Sequence, residues 1–393
     1  MLRTIITFLQ CILLCGLGHA QNENRWFKGN LHTHSYWSDG DEYPEMIMDW
    51  YKSHGYNFVG LSDHNVLAQG EKWKQITRSK MYEGGFANYL AKYGANWVVY
   101  TRDSGRISVK LKNYEEYKPL FEDKNFLVIQ SEEITSRLDG KQIHVNATNI
   151  QHLIGAQQGT TVKEIMQNSV NAVMEQRKAT GIPMFPHINH PNFYYSITME
   201  DMIDLQGEQF FEVYNGHPLV HNYGDSLHPG MEEMWDRINI AYASRNQPFM
   251  FGLATDDSHN YHQFGSAYSN AGRGWVMVQS RSLDASSLIA ALEAGQFYSS
   301  TGVVLTKVEY NNNELVVDIK PEAGIKYTIE FLGATKGEST TRTLSVINGT
   351  EGRFTVSNKY WFVRARVSTN KAKVNPFQDG DFEMAWTQPV TFR

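Results

Sequence analysis

Two histidines spaced two residues apart are the first residues in the chain with the type and spacing of a metal site. His32 and His34 follow the apolar segment Phe27–Leu31 and run into a Ser-Asp-Gly turn at Asp39. In a β-strand, residues i and i+2 point to the same side, so both imidazoles can bind one metal ion. The end of a strand is also where barrel enzymes place their active sites.

Further acidic and histidine residues follow other apolar segments or, in the case of His144, lie within one. These are Asp63 and His64, the pair Glu132 and Glu133, His144, His190, and the pair Asp257 and His259. Asp257 and His259 repeat the spacing of the first pair. Imidazole and carboxylate ligands without cysteine suit zinc, manganese or iron. Together these residues are too many for one ion, and we expect two to three.

The elements that position these residues alternate between strand and helix. Apolar segments predict strands at Phe27–Leu31, Phe58–Ser62, Phe126–Gln130, Ile143–Thr148, Ile182–Pro186, Phe210–Tyr214 and Phe249–Ala254. Helical periodicity predicts helices at Pro44–Ser53, Val162–Thr180, Met231–Ser244 and Ser286–Ala294. This alternation favours a parallel sheet, open or closed into a barrel. The stretch 66–124 is too long for one connection, so we expect an insertion with helices and a hairpin formed by Trp97–Tyr100 and Ile107–Leu111.

The pattern changes near Gly302. Short alternating segments without helices follow, at Val304–Tyr310, Leu315–Ile319, Tyr327–Phe331, Arg353–Val356 and Tyr360–Val367. They predict a small antiparallel β-sandwich over residues 303–393.

The N-terminus has the pattern of a secretory signal peptide: Arg3, a short apolar run, and a small-x-Ala ending at Ala20. We expect cleavage there, export to the periplasm or the exterior, and no membrane span afterwards. Cys11 and Cys15 both lie in this segment, so the mature chain has no disulfide and no thiolate ligand. The net charge of −6 gives no basic surface for a nucleic-acid polymer.

As a set, these motifs resemble the polymerase-and-histidinol-phosphatase (PHP) family. The resemblance rests on His32-x-His34, Ser38-Asp39-Gly40, Asp63-His64, Glu132-Glu133-Ile134-Thr135, His190-Pro191 and Asp257-x-His259. It covers nearly all of the mature chain. The stretch 28–65, the segments 272–275 and 294–302, and the Ala385-Trp-Thr-Gln-Pro ending are similar to a secreted branch related to carbaryl-hydrolase-type metallohydrolases.

The resemblance implies an α/β fold, a distorted (β/α)7 barrel at residues 21–302 followed by the C-terminal sandwich. It also implies a site for three metal ions. His32, His34 and Asp257 would bind the first ion, Glu133 would bridge the first two, His144 and His190 would complete the second, and Asp39, His64 and His259 would hold the third. Glu133 is preferred to Glu132 because it precedes Ile-Thr, and His190 to His187 because it precedes Pro. Ser131 stands where the family usually has Gly.

Three further residues are candidates for roles around the metal ions. We expect Asp63 to orient a ligand histidine, and either Asp63 or a metal-bound water to act as general acid. Arg273 is a candidate cation for a phosphate, with a surface ion pair as the alternative, and Asn215 is a candidate substrate contact. The other histidines are expected to be surface or hydrogen-bonding residues: His54, His152, His217, His221, His228 and His262.

Such a site favours hydrolysis of a phosphate ester, because metal ions activate water and stabilise the oxyanion that develops. The expected substrate is a small molecule or a glycan-linked ester. One alternative is a carbamate or carboxylic ester hydrolase that uses the same metal ions. A second, non-catalytic alternative is a protein that binds a glycan or a surface partner.

Overall fold

The computed structural model describes residues 24–393. The predicted signal peptide, with Cys11 and Cys15, lies outside these residues, so export stays a prediction. Among the helices of residues 24–393, none is long and apolar enough to cross a membrane.

The elements are numbered in chain order. The helices are α1 (Pro44–Ser53), α2 (Lys80–Tyr93), α3 (Tyr114–Phe121), α4 (Val162–Thr180), α5 (Met199–Met202), α6 (Met231–Ser244) and α7 (Ala285–Glu293). The strands up to the predicted boundary are β1 (Arg25–Asn30), β2 (Phe58–Leu61), β3 (Trp73–Gln75), β4 (Tyr100–Asp103), β5 (Arg106–Lys110), β6 (Leu127–Leu138), β7 (Lys141–Thr148), β8 (Phe185–Ile188), β9 (Phe210–Asn215), β10 (Phe251–Thr255), β11 (Trp275–Ser280) and β12 (Phe297–Ser300). The later strands are β13 (Leu305–Asn311), β14 (Glu314–Ile319), β15 (Tyr327–Thr335), β16 (Arg342–Asn348), β17 (Glu351–Thr355), β18 (Tyr360–Ala372) and β19 (Phe382–Thr387).

Helix α4 illustrates how the sequence determines these bounds. The side chain of Thr161 accepts a hydrogen bond from the amide of Glu164 and caps the first turn. Gly181 ends the helix with a φ of 69°, a left-handed conformation that glycine adopts without strain. The buried residues recur at helical spacing and pack against the sheet. The bounds predicted for α1, α4 and α6 are confirmed.

Thirteen strands form one sheet, in the order β10-β9-β8-β7-β6-β2-β1-β11-β12-β19-β18-β15-β16. Strands β1, β2 and β6 are parallel neighbours, as are β8, β9 and β10. The carboxyl ends of β1, β2, β9 and β10 carry polar residues of the candidate site.

The prediction that all seven strands run parallel is wrong at β7, which pairs antiparallel with both β6 and β8. The reason is the two-residue turn at Asp139 and Gly140, both with positive φ. Strands joined by so short a turn must run antiparallel. The Asp-Gly pair is a strong sequence signal for such a hairpin.

The closed barrel is not found among residues 24–393. Strands β1 and β10 form no ladder with each other, although a single parallel bridge joins Thr33 and Ser258 just beyond their ends. Around this bridge, the amide of His34 donates to the carbonyl of Ser258 at 2.9 Å, and that of Asp257 to the carbonyl of His32 at 3.0 Å. The two predicted metal-binding motifs are therefore adjacent.

The C-terminal strands form two facing layers, but one layer continues the large sheet. Strand β12 pairs antiparallel with β19, so β15, β16, β18 and β19 extend that sheet beyond Gly302. The separate sheet β13-β14-β17 packs on it through a shared core that contains Leu315, Val317, Ile329 and Phe331. The domain boundary near Gly302 stays a prediction.

The insertion at 66–124 contains α2, α3 and the small sheet β3-β5-β4. Its helices and hairpin were predicted, while the third strand was not. The insertion packs on the loop that carries Asp39: the indole of Trp37 donates to the carbonyl of Lys112 at 3.0 Å.

Candidate metal centre

The structure brings all the predicted metal ligands into connected groups. In each group, the ligand atoms lie within 4.8 Å of one another. The groups are His34-Asp39-His64-His259, His32-His190-Asp257, His32-His34-Glu133, His64-Glu133-His144 and His32-His187-Glu212. His144 and His190, predicted to share one ion, fall in different groups.

Glu133 lies at the centre of the cluster. Its carboxylate oxygens are 3.3 Å from Nε2 of His32, 3.3 Å from Nε2 of His34, 2.7 Å from Nδ1 of His64, 2.9 Å from Nδ1 of His144 and 3.4 Å from Nε2 of His190. Burial raises the pKa of Glu133, but the surrounding imidazoles outweigh burial and hold that pKa well below its usual value. The carboxylate is therefore ionised and available to bridge cations.

Strand β6 places Glu132 and Glu133 differently from the prediction. The sequence suggested an acidic pair at a strand end, whereas β6 continues to Leu138 and both residues lie within it. Alternate residues of a strand face opposite sides, so the cluster receives Glu133. Glu132 instead accepts hydrogen bonds from the amides of Ile154 and Gly155, at 2.8 and 2.7 Å.

Asp257 is the second central carboxylate. Its Oδ1 lies 3.2 Å from Nε2 of His32 and 3.3 Å from Nε2 of His34. Its φ is 49°, and the φ of His190 is also positive, at 21°. Non-glycine residues rarely adopt this region, and such strain concentrates at functional sites.

Asp39 forms the open side of the cluster. Its carboxylate lies 3.4 Å from Nε2 of His259 and 3.6 Å from Nε2 of His64, and its side chain is 60% exposed. Hydrogen bonding from His259 holds the pKa of Asp39 well below its usual value, although burial opposes this. A ligand can therefore reach the cluster from the Asp39 side.

Several buried imidazole nitrogens in the cluster have no hydrogen-bond partner among the described residues: Nε2 of His32, Nε2 of His34 and Nε2 of His144. Leaving such an atom unsatisfied in a protein interior costs roughly 1–3 kcal/mol. Imidazole nitrogens and carboxylate oxygens are also the atoms that zinc, manganese and iron take as ligands. The residues present fit divalent metal ions.

Glu212 also contacts the cluster and was not among the residues predicted from the sequence. One of its oxygens lies 2.7 Å from Nδ1 of His32 and accepts from the hydroxyl of Thr255 at 2.8 Å. The other accepts from the amide of His190 at 2.9 Å. The available signal was a lone acid inside an apolar strand, since β9 reads Phe-Phe-Glu-Val-Tyr-Asn.

Asn215 is buried and lies next to Glu212. Its amide nitrogen donates to Glu212 at 2.8 Å and to Asp257 at 3.1 Å. Its side-chain oxygen, Oδ1, accepts a hydrogen bond from the main-chain amide of His217 at 2.8 Å. Because protein groups occupy both ends of the side chain, Asn215 positions two carboxylates, and the predicted substrate contact is not seen.

Asp63 holds the loop that leads to Asp39. Its carboxylate accepts from the amide and hydroxyl of Ser35, at 2.8 and 2.7 Å, and from the hydroxyl of Ser38 at 2.6 Å. Burial raises the pKa of Asp63. Asp63 is 3% exposed, and it belongs to none of the candidate metal-binding groups. The structure thus places Asp63 as a support of the loop.

Arg273 is not brought into the cluster. The residue is 1% exposed, and its guanidinium donates to five main-chain carbonyls: those of Gly216, Gly265, Tyr268, Asn375 and Pro376. The prediction that Arg273 contacts a phosphate is therefore wrong, because the N–H groups of its guanidinium already donate to carbonyls and are buried away from solvent. Arg273 instead holds several loops in place through these hydrogen bonds.

A different cation lies near the open side. Lys74 of β3 extends its ammonium over the ring of Tyr36, 4.8 Å from the ring centre. Among the described residues it forms no ion pair. Burial and neighbouring Lys72 lower the pKa of Lys74, while Asp39 is the first of the carboxylates that oppose this. The insertion thus adds a positive charge beside the loop that carries Asp39.

No protein-family model matches this chain, and no curated protein matches it. Among solved structures, it is similar to a two-domain protein from Bacteroides vulgatus ATCC 8482 described as containing a predicted PHP-like metal-dependent phosphoesterase. That match has 14% identity and a TM-score of 0.45, and covers 94% of this chain and 95% of that one.

Two other solved structures are similar over a smaller share of the chain. One is a putative metal-dependent phosphoesterase from Bifidobacterium adolescentis ATCC 15703, with 11% identity, a TM-score of 0.31, and coverage of 60% of this chain and 88% of that one. The other is an amidohydrolase from Chromobacterium violaceum, with 11% identity, a TM-score of 0.30, and coverage of 59% and 87%. These similarities are too weak to assign this chain to a family.

Proposed function

We propose that this protein is a metal-dependent hydrolase that acts on phosphate esters. The observation that carries the proposal is the convergence of unpaired imidazole nitrogens on the buried carboxylates of Glu133 and Asp257. A purely structural core would pair such atoms with each other or with backbone groups. Here they remain free for cations.

The proposed cofactors are two to three ions of zinc, manganese or iron. Glu133 and Asp257 would hold ions together with His32, His34, His144 and His190, and Asp39 would hold a further ion with His64 and His259. When bound, such ions lower the pKa of water and polarise the bond under attack. Glu212 keeps His32 oriented, and Asn215 keeps both Glu212 and Asp257 in place.

The charge of the loaded site favours an anionic substrate. Asp39, Glu133, Asp257 and Glu212 supply four negative charges, which two divalent ions balance and three divalent ions exceed by two. Lys74 adds a further positive charge on the open side. A phosphate ester carries the negative charge that this surplus attracts, while a neutral carbamate or carboxylic ester does not.

The test uses purified protein from which metal has been removed and then restored. Release of p-nitrophenol is measured from a phosphate monoester, a phosphate diester and a carboxylic ester, and metal content is counted on the same sample. Phosphate-ester turnover that disappears with the metal supports the proposal. Turnover of the carboxylic ester alone overturns it in favour of the other ester class, and bound metal without turnover favours a binding role.

We also propose that the protein is exported, because the N-terminal segment has the pattern of a signal peptide. Expression of the full chain with fractionation and N-terminal sequencing provides the test. A mature chain that begins at Gln21 outside the cytoplasm supports export, and an uncleaved cytoplasmic chain contradicts it.

A further inference from the structure

His217 is a histidine beside the cluster that neither the metal site nor its supports use. Its amide donates to the side chain of Asn215, the residue that also holds Asp257. Its ring centre lies 5.7 Å from that of His259 and 5.3 Å from that of Phe193. The imidazole therefore stands at the edge of the metal-binding groups, on a backbone fixed by the site itself.

One nitrogen of this ring is already committed to the backbone. The amide of Leu219 donates a hydrogen bond to Nδ1 of His217 at 3.1 Å. A nitrogen that accepts a hydrogen bond carries no proton, so the ring is neutral and its proton lies on Nε2. The short turn through Pro218 thus selects one tautomer.

The other nitrogen is free. Within residues 24–393, Nε2 of His217 makes no hydrogen bond, and the residue is partly exposed. Because the ring packs edge-on against both Phe193 and His259, with interplanar angles of 83° and 78°, its position is restricted. A fixed N–H donor at the edge of a cationic site is suited to an oxygen atom that carries negative charge.

We propose that His217 donates a hydrogen bond from Nε2 to an oxygen of the bound phosphate group, and so contacts the substrate directly. The proposal rests on the proposed phosphate-ester function. A neutral imidazole acts here as a hydrogen-bond donor and does not give up its proton, since loss of that proton would leave an imidazolate. Removal of one such donor from an enzyme typically lowers kcat about 100- to 1000-fold.

The test compares three variants of the metal-loaded protein. H217L removes the donor, H217Q keeps an N–H at a similar reach, and H221L is a matched control in the same loop, where His221 stacks on Tyr195. We expect H217L to lower kcat/KM for p-nitrophenyl phosphate by at least about tenfold, with partial recovery in H217Q and no change in H221L. Metal content should stay at the wild-type value in all three.

Two readouts do not depend on turnover. Nitrogen-15 NMR of the histidine rings should show the proton of His217 on Nε2, and calorimetry should show weaker binding of inorganic phosphate to H217L than to wild type. A proton on Nδ1, or equal phosphate affinity and equal kcat/KM in H217L and wild type, would overturn the proposal. If wild type hydrolyses no phosphate ester, the proposed function fails, and phosphate affinity still decides the role of His217; a wild type that does not bind phosphate overturns that role too.

Discussion

Nδ1 of His32 lies 2.7 Å from a carboxylate oxygen of Glu212, and both side chains are fully buried. The pair fixes the proton of His32 on Nδ1 and turns Nε2 toward Glu133 and Asp257. Histidine ligands commonly donate their second N–H to a carboxylate, which orients the ring and makes it a better ligand. The pKa of Glu212 is held far below its usual value: burial opposes this, but the charge of His32 and the hydrogen bond from His32 prevail, and nearby His187 adds to the effect.

Replacement of Glu212 by glutamine should weaken metal binding about 10- to 100-fold. The glutamine oxygen still accepts from His32, but the negative charge behind the imidazole is lost. Titration of the metal-free variant with zinc or manganese measures the effect. E208Q is the matched control, because Glu208 is also buried next to β9 but accepts only from the amides of Gln209 and Phe210. Equal metal affinity in E212Q and wild type would show that Glu212 does not contribute to metal binding.

The candidate metal ligands could be picked out from the sequence because each is close to a recognisable apolar segment. Glu212 could not be assigned in the same way, since an acid within an apolar strand gives no indication of the residue that neutralises it. Its partner His32 lies 180 residues away in the sequence. The same applies to Arg273, whose carbonyl partners come from several loops that only the fold brings together.

The fold was predictable where local signals dominate. Helix α4 carries its own cap and terminal glycine, so its bounds follow from the sequence. The pairing of β12 with β19 joins segments more than 80 residues apart and has no local signal, so the sequence predicted a sandwich separate from the first sheet. The antiparallel β6–β7 hairpin did have a local sequence signal, the Asp139-Gly140 turn. The prediction of parallel strands did not take this turn into account.

Glutamine substitutions of the adjacent residues Glu132 and Glu133 on β6 should give different phenotypes. We expect E133Q to lose bound metal and turnover, because a neutral amide cannot bridge cations between the imidazoles. E132Q should keep its metal but unfold more easily, by roughly 1–3 kcal/mol, since an amide cannot accept well from both Ile154 and Gly155. Metal counting and urea unfolding on both variants provide the measurement. Wild-type metal content in E133Q would contradict the central role of this carboxylate.

Lys74 should affect substrate binding more than the chemical step. Its ammonium has no ion-pair partner among the described residues, so K74M removes a charge without leaving a buried carboxylate unpaired. We expect KM for p-nitrophenyl phosphate to rise about fivefold, equivalent to about 1 kcal/mol, with kcat changed less. K110M is the control, because Lys110 lies on the neighbouring strand β5 and its charge is already paired with Glu71. An unchanged KM at low salt would show that Lys74 does not attract the substrate.

Glu42 should make stability fall as the pH rises from about 4.5 to about 8. Burial raises the pKa of Glu42 to about 8, with Asp41 and Glu45 adding to the effect and the amide of Tyr43 opposing it. Its ordinary value is 4.5, so between these values the folded state holds a proton that the unfolded state has released. The stabilisation is fully present below pH 4.5 and is lost as the pH rises through 8.

From pH 7 to pH 9 this titration should remove about 1.4 kcal/mol of unfolding free energy. Glutamine mimics the protonated acid, so E42Q should lose less stability over the same interval. Urea unfolding of both proteins without metal, with exposed E115Q as a control, isolates the contribution. If wild type and E42Q lose stability in parallel from pH 7 to pH 9, Glu42 is already ionised at neutral pH and its contacts with Tyr43 and His262 outweigh its burial.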